Sequence, residues 1–231
     1  MMKKRAILMC AGEYEQMEIP CTAGDLVVAV DGGLGRLLEQ KIEPDLVLGD
    51  FDSLGSEYRP YLEALEQEQP ERLRTLPCEK DDTDTIYACR VCLEKGCREI
   101  LIYGGLGGRL DHTLANIQTL AWLIEQGTAG YLLGKKTLVT VLDGEEMKLP
   151  EGFSGTFSLF ALDTEVSGVT LEGMKYPLYD AAMTNAFPLG VSNEVHSTQR
   201  ACLRVRTGKA VVLLESGQGE IRVSSIERSP V

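Results

Sequence analysis

No stretch of this chain approaches the roughly 18 consecutive apolar residues of a membrane-spanning helix, which argues against a bilayer-embedded protein. Behind Met1-Met2-Lys3-Lys4-Arg5 the apolar run covers only Ala6 to Met9 before Glu13 and Glu15 end it. That is too short for the core of a secretion signal, so it reads as a buried first strand of a cytoplasmic protein. Basic charge is in deficit: 23 Lys and Arg against 35 Asp and Glu leave a net charge of −12, with a pI near 4.7. A nucleic acid or an anionic membrane would need a cationic face, so neither partner is expected. Phosphate ligands stay open, since local Arg, Lys or a divalent metal can hold them. Histidine is scarce as well. His112 and His196 are the only two, neither at finger spacing from the seven cysteines, so a zinc site is not expected. Cys89, Cys92 and Cys97 read with the others as reduced, mostly buried thiols. The familiar nucleotide loops are also missing. No G-x-x-x-x-G-K-[ST] occurs, and Gly33-x-Gly35 and Gly105-x-Gly107 each lack the third glycine of a dinucleotide fingerprint.

What is present is an ordinary globular composition, 44% hydrophobic and 25% charged, in 231 residues that suit one large domain or two small ones. The first half alternates apolar runs (Ala6–Met9, Leu26–Val30, Leu46–Leu48, Leu73–Leu76, Ile100–Tyr103, Tyr131–Leu133) with helical patterns around 33–40, 56–69, 84–95 and 113–126. The runs lack strict alternation, as strands of a doubly covered parallel sheet do. Gly96 and Gly127 stand where helix C-caps are wanted. From about Thr137 the texture becomes β-prone: Thr137–Leu142, Gly155–Leu162, Gly168–Leu171, Ala201–Arg206, Ala210–Leu214 and Glu220–Val223. The expected architecture is α/β, a parallel-sheet, Rossmann-like domain over residues 1–143 followed by an all-β sandwich or barrel over 144–231.

The chemistry gathers at predicted strand ends. Gly104 to Asn116 reads G-G-L-G-G-R-L-D-H-T-L-A-N and opens a helical pattern with Leu114, Ile117, Leu120, Ala121 and Ile124 at helical spacing. Glycines that admit close approach, free N–H groups and a helix dipole suit an anion. Arg109 offers a bidentate fork to phosphate, and Asp111 can hold a metal or accept a proton. His112 suits either a ligand contact or a structural hydrogen bond; Trp122 reads as core. Acidic clusters follow three other strands: Asp31-Gly32-Gly33, Gly49-Asp50-Phe51-Asp52-Ser53 and Lys80-Asp81-Asp82-Thr83-Asp84. In extended backbone Asp50 and Asp52 would point to one side and share a cation. Two of these clusters also have a plainer use, with Asp52 or Ser53, and Asp82 or Thr83, as helix N-caps. Their concurrence at one crevice describes a site for Mg²⁺ with a polyphosphate.

With these residues in view, the chain resembles the thiamine pyrophosphokinase family. The motifs that carry the resemblance are those four clusters, in order, and the segment Gly190-Val191-Ser192-Asn193-Glu194. The resemblance implies transfer of the pyrophosphoryl group of ATP to the hydroxyethyl oxygen of thiamine, giving thiamine diphosphate and AMP. It implies Asp50, Asp52 and Asp84 as Mg²⁺ ligands, with Asp31, Lys80, Arg109 and Asp111 positioning phosphates and metal-bound water. Gly32, Gly105, Gly108 and His112 would join Asp31 and Arg109 around ATP, and Ser192, Asn193 and Asp81 would hold thiamine. Asp111 and Asp81 are alternative acceptors of the hydroxyl proton. It further implies a homodimer with its active site between subunits. Two rivals stay open: another Mg²⁺-dependent polyphosphate enzyme with a different acceptor, and a non-catalytic nucleotide or thiamine sensor.

Overall fold

The computed structural model describes residues 4–15, 17–52, 54–76, 83–196 and 200–231. It divides into two compact units, Met1–Leu133 and Gly134–Val231. The division lies before the strand Thr137–Leu142, whereas the expected boundary at 143/144 lies just after it. That strand pairs with Ala210–Ser216 of the second unit, which is why it belongs there.

In chain order the first unit runs β1 (Lys4–Met9), β2 (Leu26–Val30), α1 (Gly33–Glu39), β3 (Leu46–Gly49), α2 (Arg59–Glu68), β4 (Leu73–Thr75), α3 (Asp84–Glu94), β5 (Cys97–Tyr103), α4 (Leu110–Glu125) and β6 (Ala129–Leu133). All its strand pairs are parallel. From β1 the sheet continues through β2, β3 and β4 on one side and through β5 and β6 on the other. Residues 6–9 of β1 and all of β2 are buried, so these strands show continuous apolar character rather than alternation. Strand order reverses between β1 and β5, and the crevice beyond the carboxyl ends at such a reversal is where open α/β sheets bind ligands.

Helix α4 buries only part of the expected stripe. Its buried residues are Asn116, Thr119, Leu120 and Leu123, so of Leu114, Ile117, Leu120, Ala121 and Ile124 only Leu120 is buried, Leu114 is exposed and the others are half-buried. Leu120 and Leu123 seat against β6: a Cβ at Gly130 would lie 2.8 Å from both Leu120 Cδ2 and Leu123 Cδ1, so a side chain there would make both leucine tips shift. Leu110 and Leu114 are left 72% and 56% exposed. Trp122 is half-buried with the Arg90 guanidinium 5.8 Å above its ring, rather than fully in the core. Cys10, Cys89, Cys92 and Cys97 are buried free thiols, while Cys21 is exposed.

The second unit contains β7 (Thr137–Leu142), β8 (Glu145–Lys148), β9 (Gly155–Ala161), β10 (Glu165–Glu172), β11 (Leu178–Thr184), β12 (Gly190–Val195), β13 (Cys202–Val205), β14 (Ala210–Ser216) and β15 (Glu227–Pro230). They form two antiparallel arrays, β12-β9-β14-β7 and β11-β10-β13-β8-β15. Alternate residues of β9 are buried, as one-sided sheets require. The expected strand at Glu220–Val223 is absent; a 3₁₀ turn at Val223–Ser225 leads instead into β15. Among the described residues, no helix is long and apolar enough to cross a membrane.

Candidate active site

Three chain segments leave adjoining parallel strands and turn at once. After β1, Cys10 N–H donates to Tyr103 O (2.8 Å) and Gly12 N–H to Gly104 O (3.0 Å), stitching that loop to the end of β5. Gly104 has φ 66°, and a Cβ there would lie 2.5 Å from Cys10 O, so both conformation and contact demand glycine. After β2, Asp31 sits at φ 48°, uncommon for a residue with a side chain. Its N–H donates to Leu48 O at 2.8 Å, and its Oδ1 accepts from Asp50 N–H at 3.1 Å.

The segment after β3 is not extended. Phe51 lies at φ 59°, and Asp52 N–H donates back to Asp50 Oδ1 at 3.2 Å. The D-x-D pair thus forms an Asx-type turn, with Asp50 half-buried and Asp52 exposed, instead of two carboxylates on one side of a strand. Thr83 caps α3 by accepting Ile86 N–H at 3.3 Å, which places Asp84 at the first position of the helix. Lys80, Asp81 and Asp82 lie outside the described residues, as does Ser53.

Asp31, Asp50 and Asp84 meet electrostatically. Burial, and then the Asp84 and Asp50 carboxylates, push Asp31 up to about 6. Below them the Cys10 thiol, hydrogen-bonded to Thr85 Oγ1 at 3.6 Å, is pushed up to about 12 by burial and stays protonated. Asp31, Asp84, Gly105, Gly108, Arg109 and His112 all line one cleft of ≈ 370 Å³.

The opposite side is the glycine turn. Gly107 and Gly108 take φ 78° and 62°, and α4 begins at Leu110. Asn116, buried, donates from Nδ2 to Gly105 O at 2.8 Å and pins the turn to the helix. Arg109 Nε and Nη2 both grip the Asp111 carboxylate, at 3.2 and 2.6 Å, in a pair 72% and 65% exposed. Asp111 Oδ1 also accepts His112 N–H at 3.0 Å. Asn116 was part of the sequence motif yet carried no expected role, and Thr85 offered no signal before its position under the cleft was known.

Ser192 and Asn193 lie on β12 in the second unit and differ sharply. Ser192 is exposed at φ 59° and donates its N–H to Ser158 Oγ. Asn193 is 4% exposed; its Oδ1 accepts from Tyr176 N–H and Glu194 N–H, and its Nδ2 donates to Tyr176 O at 2.7 Å. Its amide is occupied by the backbone, so its place is beneath the surface that Ser192 presents.

Comparison with known proteins agrees with both units. Residues 21–132 match the family model described as the thiamin pyrophosphokinase catalytic domain, and residues 146–211 match that of its vitamin B1 binding domain. The chain belongs to the thiamine pyrophosphokinase family. A thiamine pyrophosphokinase of Bacillus subtilis is 33% identical over 174 residues, covering 74% of this chain and 79% of the relative. A crystal structure of the enzyme from Bacillus subtilis superposes with a TM-score of 0.81 at 27% identity, covering 92% of this chain and 99% of that one. One from Geobacillus thermodenitrificans gives 0.77, also at 27% identity, over 93% and 98%. As a thiamine pyrophosphokinase family member the chain is an enzyme, and its family's two domain types fall on the two units in turn.

Proposed function

We propose that the chain transfers the pyrophosphoryl group of ATP to the hydroxyethyl oxygen of thiamine, giving thiamine diphosphate and AMP. The observation that carries this reading is the cleft itself, which Asp31 and Asp84 line together with the glycine turn and Arg109, with Asp50 hydrogen-bonded to Asp31 beside it. In this reading the first unit is the Rossmann-like ATP domain and the second holds thiamine.

Among the described residues no three His, Cys, Asp or Glu side chains already surround a single point. The fit to a metal rests on donor chemistry. The group is all carboxylate oxygen, the donor hard divalent cations take, and the repulsion from Asp84 and Asp50 that adds to burial in raising Asp31 is what a cation relieves. Asp50, Asp52 and Asp84 would hold Mg²⁺, which when bound neutralises charge on phosphoryl oxygens. Asp31 orients the Asp50 turn through its 3.1 Å hydrogen bond. Arg109, exchanging Asp111 for phosphate, would present two parallel N–H groups to the transferred oxygens, leaving Asp111 able to take the hydroxyl proton. Lys80 would add a point charge to the phosphates, and Asp81 is the alternative proton acceptor. Gly32, Gly105, Gly108 and His112 would flank the nucleotide. Thiamine's cationic thiazolium suits an acidic cleft, and Ser192 and Asn193 of β12 would help hold the pyrimidine of thiamine bound by the partner subunit.

The reading includes a homodimer with the cleft between subunits, in the cytoplasm. The support for the dimer is the exposed apolar pair Leu110 and Leu114, in the first turns of α4 after Arg109. Incubation with Mg·ATP, with and without thiamine, tests the reaction. Thiamine-dependent AMP together with thiamine diphosphate is expected; ADP with thiamine monophosphate, or nucleotide breakdown without thiamine, would overturn it.

A further inference from the structure

Among its described residues the β1–β2 connection contains no helix, yet it is held at two points on either side of Glu13. Before it, Gly12 N–H donates to Gly104 O, and a Cβ at Gly12 would lie 2.3 Å from that oxygen. After it, the Tyr14 hydroxyl donates to Met17 O at 2.7 Å and accepts from Gln40 Nε2 at 2.5 Å, with Arg36 5.5 Å above its ring. Between these anchors the chain delivers Glu13 onto the glycine turn. A Cβ at Gly107 would lie 2.6 Å from Glu13 Oε2 and 3.1 Å from its Cβ, and one at Gly108 would lie 3.6 Å from its Cγ. The space those glycines leave at the cleft rim is therefore filled by a carboxylate. Glu13 is exposed, and among the described residues no ion pair offsets its charge. The Arg109 fork beside it is engaged by Asp111. Both features of the α4 start that suit an anion are thus covered by the protein's own carboxylates.

We propose that Glu13 is a specificity-determining residue, a charge gate on the Gly107–Gly108 turn that disfavours polyphosphate arriving without a cation and so selects the metal-complexed nucleotide. The inference rests on the ATP reading above. Bare pyrophosphate or ATP must come close to an uncompensated carboxylate, while the metal complex arrives with much of its charge neutralised, and like charges in contact at a wet surface repel modestly.

Calorimetric titration of the full chain with inorganic pyrophosphate and with ATP, each in EDTA and in excess Mg²⁺, tests it. Relative to the native chain, Glu13→Gln should bind both metal-free ligands about fivefold more tightly and the Mg²⁺ complexes less than twofold more tightly. The gain should shrink at about 1 M salt, where screening is strong. Glu18→Gln removes the same charge from the same loop and should shift neither. Equal tightening of both forms, no tightening, or a matching effect from Glu18→Gln would overturn the gate while leaving the nucleotide reading intact. If Mg·ATP binds neither the native chain nor Glu13→Gln, the nucleotide reading itself falls.

Discussion

The two sides of the cleft are built on opposite principles. The acidic side is held by the fold: Asp31 is locked at φ 48° by backbone hydrogen bonds and half-buried, and the fold forces its carboxyl up to about 6 beside Asp84 and Asp50. The arginine side is exposed, rests on left-handed glycines and, among the described residues, is paired with its own neighbour two residues on. In the proposed reading, the acidic side is already organised for a cation, whereas Arg109 would contact an anion only after a ligand displaced Asp111. Burial and backbone bonding organise the first; entropy remains to be spent on the second.

The contrast can be broken most directly at Asp84. Asp84→Asn should lower thiamine-dependent AMP formation about 10³-fold while the thermal midpoint holds or rises, because a like charge leaves a crowded site and Thr83 still caps α3. Activity near the native level would show that the acidic side is only structural. On the other side, Arg109→Lys should cost about 10- to 100-fold in kcat/KM with an unchanged melt, since a point charge replaces a fork and the exposed pair contributes little to stability. A large fall in the midpoint would mean that the rim is as built-in as the wall.

The same division recurs on β12 and sharpens the comparison. Asn193→Ala should cost about 2 kcal/mol in urea denaturation, since several backbone groups lose their buried partner, whereas Ser192→Ala should leave stability alone and raise the KM for thiamine. The smallest effect lies outside the cleft. Burial works to raise the Asp25 carboxyl, but hydrogen bonds from Arg5 and Thr22 outweigh it and hold the group below the usual carboxylate range. Its stabilisation, about 1 kcal/mol after discounting for partial solvation, is fully present above the unfolded carboxylate value near 3.9 and is lost as pH falls through the lowered folded value. Asp25→Asn should therefore lower stability at neutral pH by about that 1 kcal/mol and flatten the acid limb of a stability–pH curve, where the native chain loses the same contribution.

Much of this was legible in the chain and some was not, for identifiable reasons. Continuous apolar runs such as Leu26–Val30 announced buried parallel strands, and Gly96 and Gly127 marked helix ends, where they adopt φ 82° and 66°. In the second unit β15 was missed because Glu227–Pro230 has no alternation to read, and Glu220–Val223 mimicked a strand through β-branched residues alone. On α4 the apolar stripe is only partly the packing face: Leu120 is buried, but Leu114 stays exposed while polar Asn116 and Thr119 are buried, Asn116 because its partner Gly105 lies on another segment. Asp50 and Asp52 were read as extended because D-x-D spacing carries no sign of a left-handed Phe51.

By itself, then, the sequence determined the α/β-then-β order of elements, the placing of carboxylates and glycines at strand ends, and the family to which those motifs point, because local periodicity and turn chemistry act between near neighbours in the chain. Only the tertiary structure decided that Gly130 would receive Leu120 and Leu123, that Asn193 would be spent on Tyr176, and that Glu13 would lie across Gly107. Each of these depends on space left or filled by a residue remote in the chain, and close packing between such residues is written into no single segment of sequence.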